Sequence, residues 1–254
     1  MAQLSGEKEV MGMKYRVPLL KFNGKTGKFS LMELDQNGKL QSRGQEWDEV
    51  EGVILKVRRV LGSWEFAGDQ LVTLFSNEHN SWRDEIVLFE KREGTPKIRM
   101  IDQGPSRKLR DKYKNLKMIQ NLYFLFEDQV VKLPVKGKSL GSLFEYYETL
   151  SGRNEHIWQF ITKIQSHSDS RGSIDFFVMD FLKQEEADLE IVSAKIEEVA
   201  RKLDLQDKSF AERPMLEDEI RGEDEMSSKE TENTEPDKEE KIDDGEVKIE
   251  DIPF

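Results

Sequence analysis

The sequence predicts an α+β fold: a small β-barrel or curled antiparallel sheet with added helices, then a C-terminal amphipathic helix and a disordered acidic tail. Three observations predict it. Short apolar, β-branched segments alternate with turn residues through most of the 254-residue chain. An apolar seam of period seven follows near residues 182–203. Beyond it the chain turns strongly negative and loses its apolar pattern.

The strands come first. Residues 1–13 read as a flexible leader, and Gly24, Gly27, Asn37 and Gly38 then punctuate short segments. Asn37-Gly38 lies between residues 29–34 and 39–41, a hairpin signal. Residues 53–61 are rich in β-branched side chains and read as a strand broken by Gly62-Ser63, with Trp64-Glu65-Phe66 opening the next. Residues 71–75, 85–91 and 97–101 read as further strands. Residues 119–126 and 129–134 form a second hairpin around Glu127-Asp128, and residues 173–182 a later strand.

Helical spacing marks other segments. Residues 106–118 are basic, with Leu109, Tyr113 and Leu116 on one side. Residues 139–150 read as a helix, and Ile157, Phe160, Ile161 and Ile164 mark another that places Trp158 in the core. Residues 184–203 carry the seam of Leu189, Val192, Ile196, Val199 and Leu203, in register with Leu182. That seam packs against its own domain or forms a homodimer contact. The organisation expected is a body over residues 14–182, an amphipathic helix over 183–204 and a tail over 205–254.

The net charge of -12 is unevenly spread. Residues 212–254 hold 18 acidic and 6 basic side chains, and the remainder holds 33 of each. The acidity belongs to the tail and does not argue against a nucleic-acid-binding body. The absence of cysteine excludes a disulfide framework and thiolate zinc sites. No apolar run approaches the ~20 residues that span a bilayer, so the expectation is a soluble, cytoplasmic protein without membrane contact.

Residues 97–138 concentrate the opposite charge, with 11 Lys or Arg against 4 Asp or Glu. The cations are Lys97, Arg99, Arg107, Lys108, Arg110, Lys112, Lys114, Lys117, Lys132, Lys136 and Lys138, with Tyr113, Tyr123, Phe124 and Phe126 among them. Lys56, Arg58 and Arg59 with Trp64 repeat the mixture upstream. Cations track phosphates and release counterions, while aromatic faces stack on unpaired bases. Alternation puts Tyr123 on one face and Phe124 with Phe126 on the other; Trp47, Trp64 and Trp82 fall near strand ends, where stacking platforms sit. Against this reading stands the ordinary one, in which lysines solvate a helix and aromatics fill a core.

Signals for catalysis are poor, and no cofactor is expected. His79, His156 and His167 lack metal-site spacing. Gly24-Lys25-Thr26 and Gly137-Lys138-Ser139 resemble the end of a phosphate loop, but Leu19 and Lys132 stand where its first glycine is required.

The chain closes on Asp251-Ile252-Pro253-Phe254 after its acidic run. This ending resembles that of bacterial single-stranded DNA-binding proteins, and phage proteins of the same kind join an oligonucleotide-binding (OB) fold to an acidic tail ending in Phe. The resemblance covers the four terminal residues and the acidic stretch before them. It implies an OB-like body that coats single-stranded DNA in replication, recombination or repair, in a bacterial cell or phage-infected host. It also implies a tip that recruits partner enzymes, with Ile252 and Phe254 as apolar anchors and Pro253 restricting the backbone between them. The acidic arm is further expected to occupy the DNA groove weakly until DNA displaces it. The alternative is an adaptor that uses the tip to bind replication or repair enzymes without touching DNA.

Overall fold

A computed structural model describes residues 17–34, 40–67, 70–95 and 98–211. The chain divides into two units, Met1–Glu212 and Arg213–Phe254, and all described residues belong to the first. The leader, Lys97 and the Asp251-Ile252-Pro253-Phe254 tip lie outside them.

The described unit is mostly β-sheet. Its strands are β1 (Leu19–Asn23), β2 (Lys28–Leu34), β3 (Leu40–Trp47), β4 (Glu49–Ala67), β5 (Gln70–Ser76), β6 (Glu85–Arg92), β7 (Ile98–Pro105), β8 (Lys117–Phe126), β9 (Gln129–Lys136), β10 (Phe160–Arg171) and β11 (Ile174–Glu186). Three helices join them: α1 (Ser106–Lys112), α2 (Ser139–Ser151) and α3 (Leu189–Ala211). The strand order is β3-β2-β1-β9-β8-β4-β5-β6-β7, with β10 pairing β4 and β11. This path does not return on itself, so the sheet is open rather than a closed barrel, which is compatible with the curled sheet of the two expected forms. The pairings are antiparallel except β1 with β9, where Leu19 meets Lys132 in parallel.

β4 is the spine, 19 residues long. Its first residues pair β10, its middle pairs β8 and its end pairs β5. The expected break at Gly62-Ser63 does not occur. Gly62 is held on both sides, opposite Lys117 of β8 and Phe75 of β5, so the ladder carries Trp64 on as part of the same strand. Gly52 has a packing reason: a Cβ there would collide with the Leu125 carbonyl and the Phe124 ring.

The β8–β9 hairpin turns on Glu127 and Asp128, both left-handed at φ 46° and 63°, the geometry of a two-residue turn matched to strand twist. The β2–β3 hairpin also forms, with Leu34 opposite Leu40; its Asn37-Gly38 turn lies outside the described residues.

Three further expectations fail for identifiable reasons. Residues 157–164 are not a helix: a 3₁₀ turn (Ile157–Gln159) leads into β10. Phe160, Thr162 and Ile164 are buried in alternation, and the pair Phe160 and Ile164, four apart, fits helical spacing as well as that alternation. Trp158 is half-buried in the turn rather than inside a helix. The basic segment 106–118 is helical only to Lys112, because Leu116 folds down beside Leu109 and Leu61 and β8 begins at Lys117. The last helix starts at Leu189 rather than Gln184, since β11 continues to Glu186. Asp188 Oδ1 then accepts from the backbone N–H of Glu190 at 3.0 Å and of Ile191 at 3.3 Å, a cap that fixes the start.

The core lies on both faces of the sheet. On one face Leu122, Phe124, Val131 and Leu133 pack under Leu143, Tyr146 and Leu150 of α2. On the other, Val53, Leu55 and Tyr123 pack under Val192, Val199 and Leu203 of α3. Of the heptad seam, Val192, Val199 and Leu203, with Ile196 beside them, pack on their own domain, whereas Leu182 lies on β11 and it and Leu189 are exposed. Leu61, Ile86, Leu88, Leu109 and Leu116 form a third cluster beneath α1. Among the described residues, no helix is long and apolar enough to cross a membrane.

Candidate nucleic-acid interface

β8 is central and covered on both sides, and this decides which expected residues reach the surface. Tyr123 and Phe124 do point to opposite faces, but Tyr123 is 0% exposed because α3 covers its side. Its hydroxyl donates to Glu78 Oε2 at 2.6 Å. Tyr123 is therefore a core residue and cannot stack on a base. Glu78 Oε1 also accepts from Asn121 Nδ2 at 2.7 Å and from Lys132 Nζ at 3.4 Å. Arg58, 2% exposed, donates to Asp207 of α3 through Nη1 at 2.9 Å and Nη2 at 2.8 Å, and to the Glu78 carbonyl at 2.7 Å. Arg58 and Lys132 thus hold an internal network, and Arg58 is corrected from a phosphate contact to a structural anchor.

Two groups of expected residues do come together, each around a tryptophan. Trp64, half-buried on β4, has Lys136 Nζ 5.2 Å and Lys117 Nζ 5.8 Å from its ring centre. Sheet register makes this arrangement. Gly62 pairs Lys117, and Ile119 pairs Lys136, so both lysines and Trp64 fall on one face. Lys114 lines the hollow beside Trp64. Burial and the like charge of Lys21 hold the Lys136 ammonium below the usual lysine range, which marks a place where positive charge is crowded.

The second group surrounds Trp82, half-buried in the loop before β6. Arg110 of α1 lies 5.2 Å from its ring centre and Arg59 of β4 5.6 Å. Arg59 Nη1 is fixed by the Asn80 carbonyl at 2.6 Å. α1 is tied to the same loop: the Arg107 N–H donates to the Trp82 carbonyl at 3.1 Å, and Ser106 Oγ lies 2.9 Å from His79 Nε2. A cation over an indole face is attracted by its quadrupole. Such a pair presents a ring for stacking with charges for phosphates beside it.

The remaining expected residues lie apart. Lys112 Nζ donates to Asp102 at 2.7 Å and the Tyr113 hydroxyl to the same oxygen at 3.0 Å. That ammonium holds the Asp102 carboxyl below its usual range, and its own charge is locally matched. Lys138 pairs with Asp169 at 2.7 Å over the Phe176 ring, beside the β10–β11 hairpin. Arg99 is exposed on β7, Arg107 and Lys108 are exposed on α1, and Lys56 is half-buried on β4.

In the sequence Trp82 reads only as a strand-end aromatic, and nothing there marks Gln120, Phe144, Tyr147, His156 and Trp158 as a group. These five, with Arg59, line a groove between β8, α2 and the turn that follows α2. They are scattered along the chain, and only the return of α2 over β8 gathers them. Among the described residues, no group of three His, Asp or Glu is placed to hold a metal ion. Compared with known proteins, the chain matches no family model, no curated protein and no solved structure.

Proposed function

We propose that this chain is a sequence-tolerant single-stranded DNA-binding protein that coats exposed strands and recruits partner enzymes through Asp251-Ile252-Pro253-Phe254. Its body is an OB-like sheet left open. The observation that carries the reading is the pair of tryptophans, Trp64 and Trp82, each half-buried and each flanked by two cations. Duplex DNA hides its base faces inside the stack, whereas a single strand offers them to such rings. Lys117, Lys136, Arg59 and Arg110 supply the phosphate contacts, so binding weakens as salt rises.

Fluorescence-anisotropy titration of the full chain with labelled oligo-dT and with a matched duplex, at several salt concentrations, tests this. The reading requires a strong preference for the single strand and a steep salt dependence. Equal affinity for the duplex, or no binding to either, would remove it.

A further inference from the structure

The groove between β8 and α2 encloses about 510 Å³, in the size range of sites that seat one small organic group. Arg59 and Gln120 form part of its wall as a register pair on β4 and β8. Phe144 and Tyr147 from α2 meet edge to face at 6.5 Å. His156 stacks on Trp158 at 5.5 Å with their planes 6° apart. The groove therefore brings two aromatic pairs to one buried amide.

That amide is the telling group. Gln120 is only 2% exposed, yet its one hydrogen bond among the described residues is a long 3.5 Å contact from the Tyr147 hydroxyl to Oε1. Its Nε2 donors have no partner there. An amide donor on the wall of a groove, without a protein partner, is available to a ligand that can pair with it. A glutamine side chain offers a donor next to an acceptor, the complement of adenine N7 and N6. The surrounding rings offer stacking surface, and Arg59, which also lies over Trp82, is positioned for the adjoining phosphate.

We propose that this groove is a slot for one unpaired nucleobase, with adenine preferred, read by Gln120 between the rings of Tyr147 and Trp158. This rests on the single-strand reading above and adds one position of base readout to an otherwise tolerant surface. The neighbouring base stacks on Trp82, under the same Arg59, without regard to identity.

The test compares a short labelled oligo-dT with the same oligonucleotide carrying one central adenine. Intrinsic fluorescence with dAMP alone is measured in parallel. Wild-type protein binds the adenine-bearing strand about tenfold tighter, the lower part of what a bidentate base contact gives. Gln120→Leu binds the two strands with equal affinity. Phe144→Ala, at a residue 38% exposed and thus safe for folding, weakens both strands. Quenching by dAMP disappears in Trp158→Phe. Single-strand binding with no adenine preference, or a preference that survives in Gln120→Leu, overturns the slot. If no strand binds while dAMP still quenches through Trp158, the coating function falls and the slot stands. If neither binds, both fall.

Discussion

The Tyr123 hydroxyl donates a 2.6 Å hydrogen bond to Glu78 Oε2 at the centre of the covered face of β8. Glu78 is buried, and Asn121 and Lys132 share its other oxygen. The carboxylate is tolerable there only because its lone pairs are filled. Tyr123→Phe should destabilise the fold by about 1–3 kcal/mol, since it leaves a buried acceptor short of a donor. Urea unfolding reads this directly. Single-strand affinity should not change, because the ring is out of reach of any strand.

The tryptophans should behave in the opposite way. Trp64→Ala and Trp82→Ala should each weaken oligo-dT binding by about 1–3 kcal/mol, the range of one base–ring stack. The slope of affinity against salt should hardly move, since no charge is removed. Loss of affinity without loss of fold, checked by circular dichroism, separates this from a packing defect.

Cations divide into two classes with different salt behaviour. Lys117→Gln and Lys136→Gln should each flatten the salt slope by about one. Lys132→Gln should leave the slope alone, because Lys132 serves Glu78. Arg58→Gln should lower stability, because it breaks the bidentate pair that ties α3 to β4.

His79 supplies a pH dependence of stability. Burial holds its imidazole below the ordinary 6.5, with Arg59 and Arg58 adding to the effect and the Asn77 carbonyl and Asp84 opposing it. The unfolded chain therefore takes up this proton first. Stability is intact above 6.5 and falls as pH drops below it towards the lowered folded value. The depressed carboxyl of Glu198 adds its loss only below 4.5, so the first window belongs to His79. Urea midpoints measured at about pH 7 and pH 5.5 should differ in the wild type and differ less in His79→Gln.

Removing residues 217–254 takes away the whole net charge of -12. A polyanion tethered to the body repels DNA at low ionic strength. Oligo-dT binding by the shortened chain should tighten at low salt and approach the full-length value at high salt, read by the same anisotropy titration.

The sheet was legible where pattern and turn chemistry agreed. The β8–β9 hairpin, β5, β6 and α2 all follow from local residues. What failed was local evidence with two readings. Phe160 and Ile164 satisfy a strand as well as the helix that Ile157 and Ile161 suggested with them, and Gly62 breaks a lone strand but not one held on both edges. The candidate site was half legible for a related reason. Charge and ring content marked Lys117, Lys136, Arg59, Arg110 and Trp64. Burial of Tyr123 and Arg58 came from α3 folding over a face that alternation alone would expose, and sequence periodicity contains no information about which distant element covers a face. The groove around Gln120 was invisible, since its residues share no spacing.

Photocross-linking to an oligonucleotide substituted with bromodeoxyuridine tests the central claim most directly, because it reports which side chains lie against the bases. Peptide mapping should place the cross-links at Trp64 and Trp82. Cross-links confined to other segments, with both tryptophans unmodified, would contradict the account.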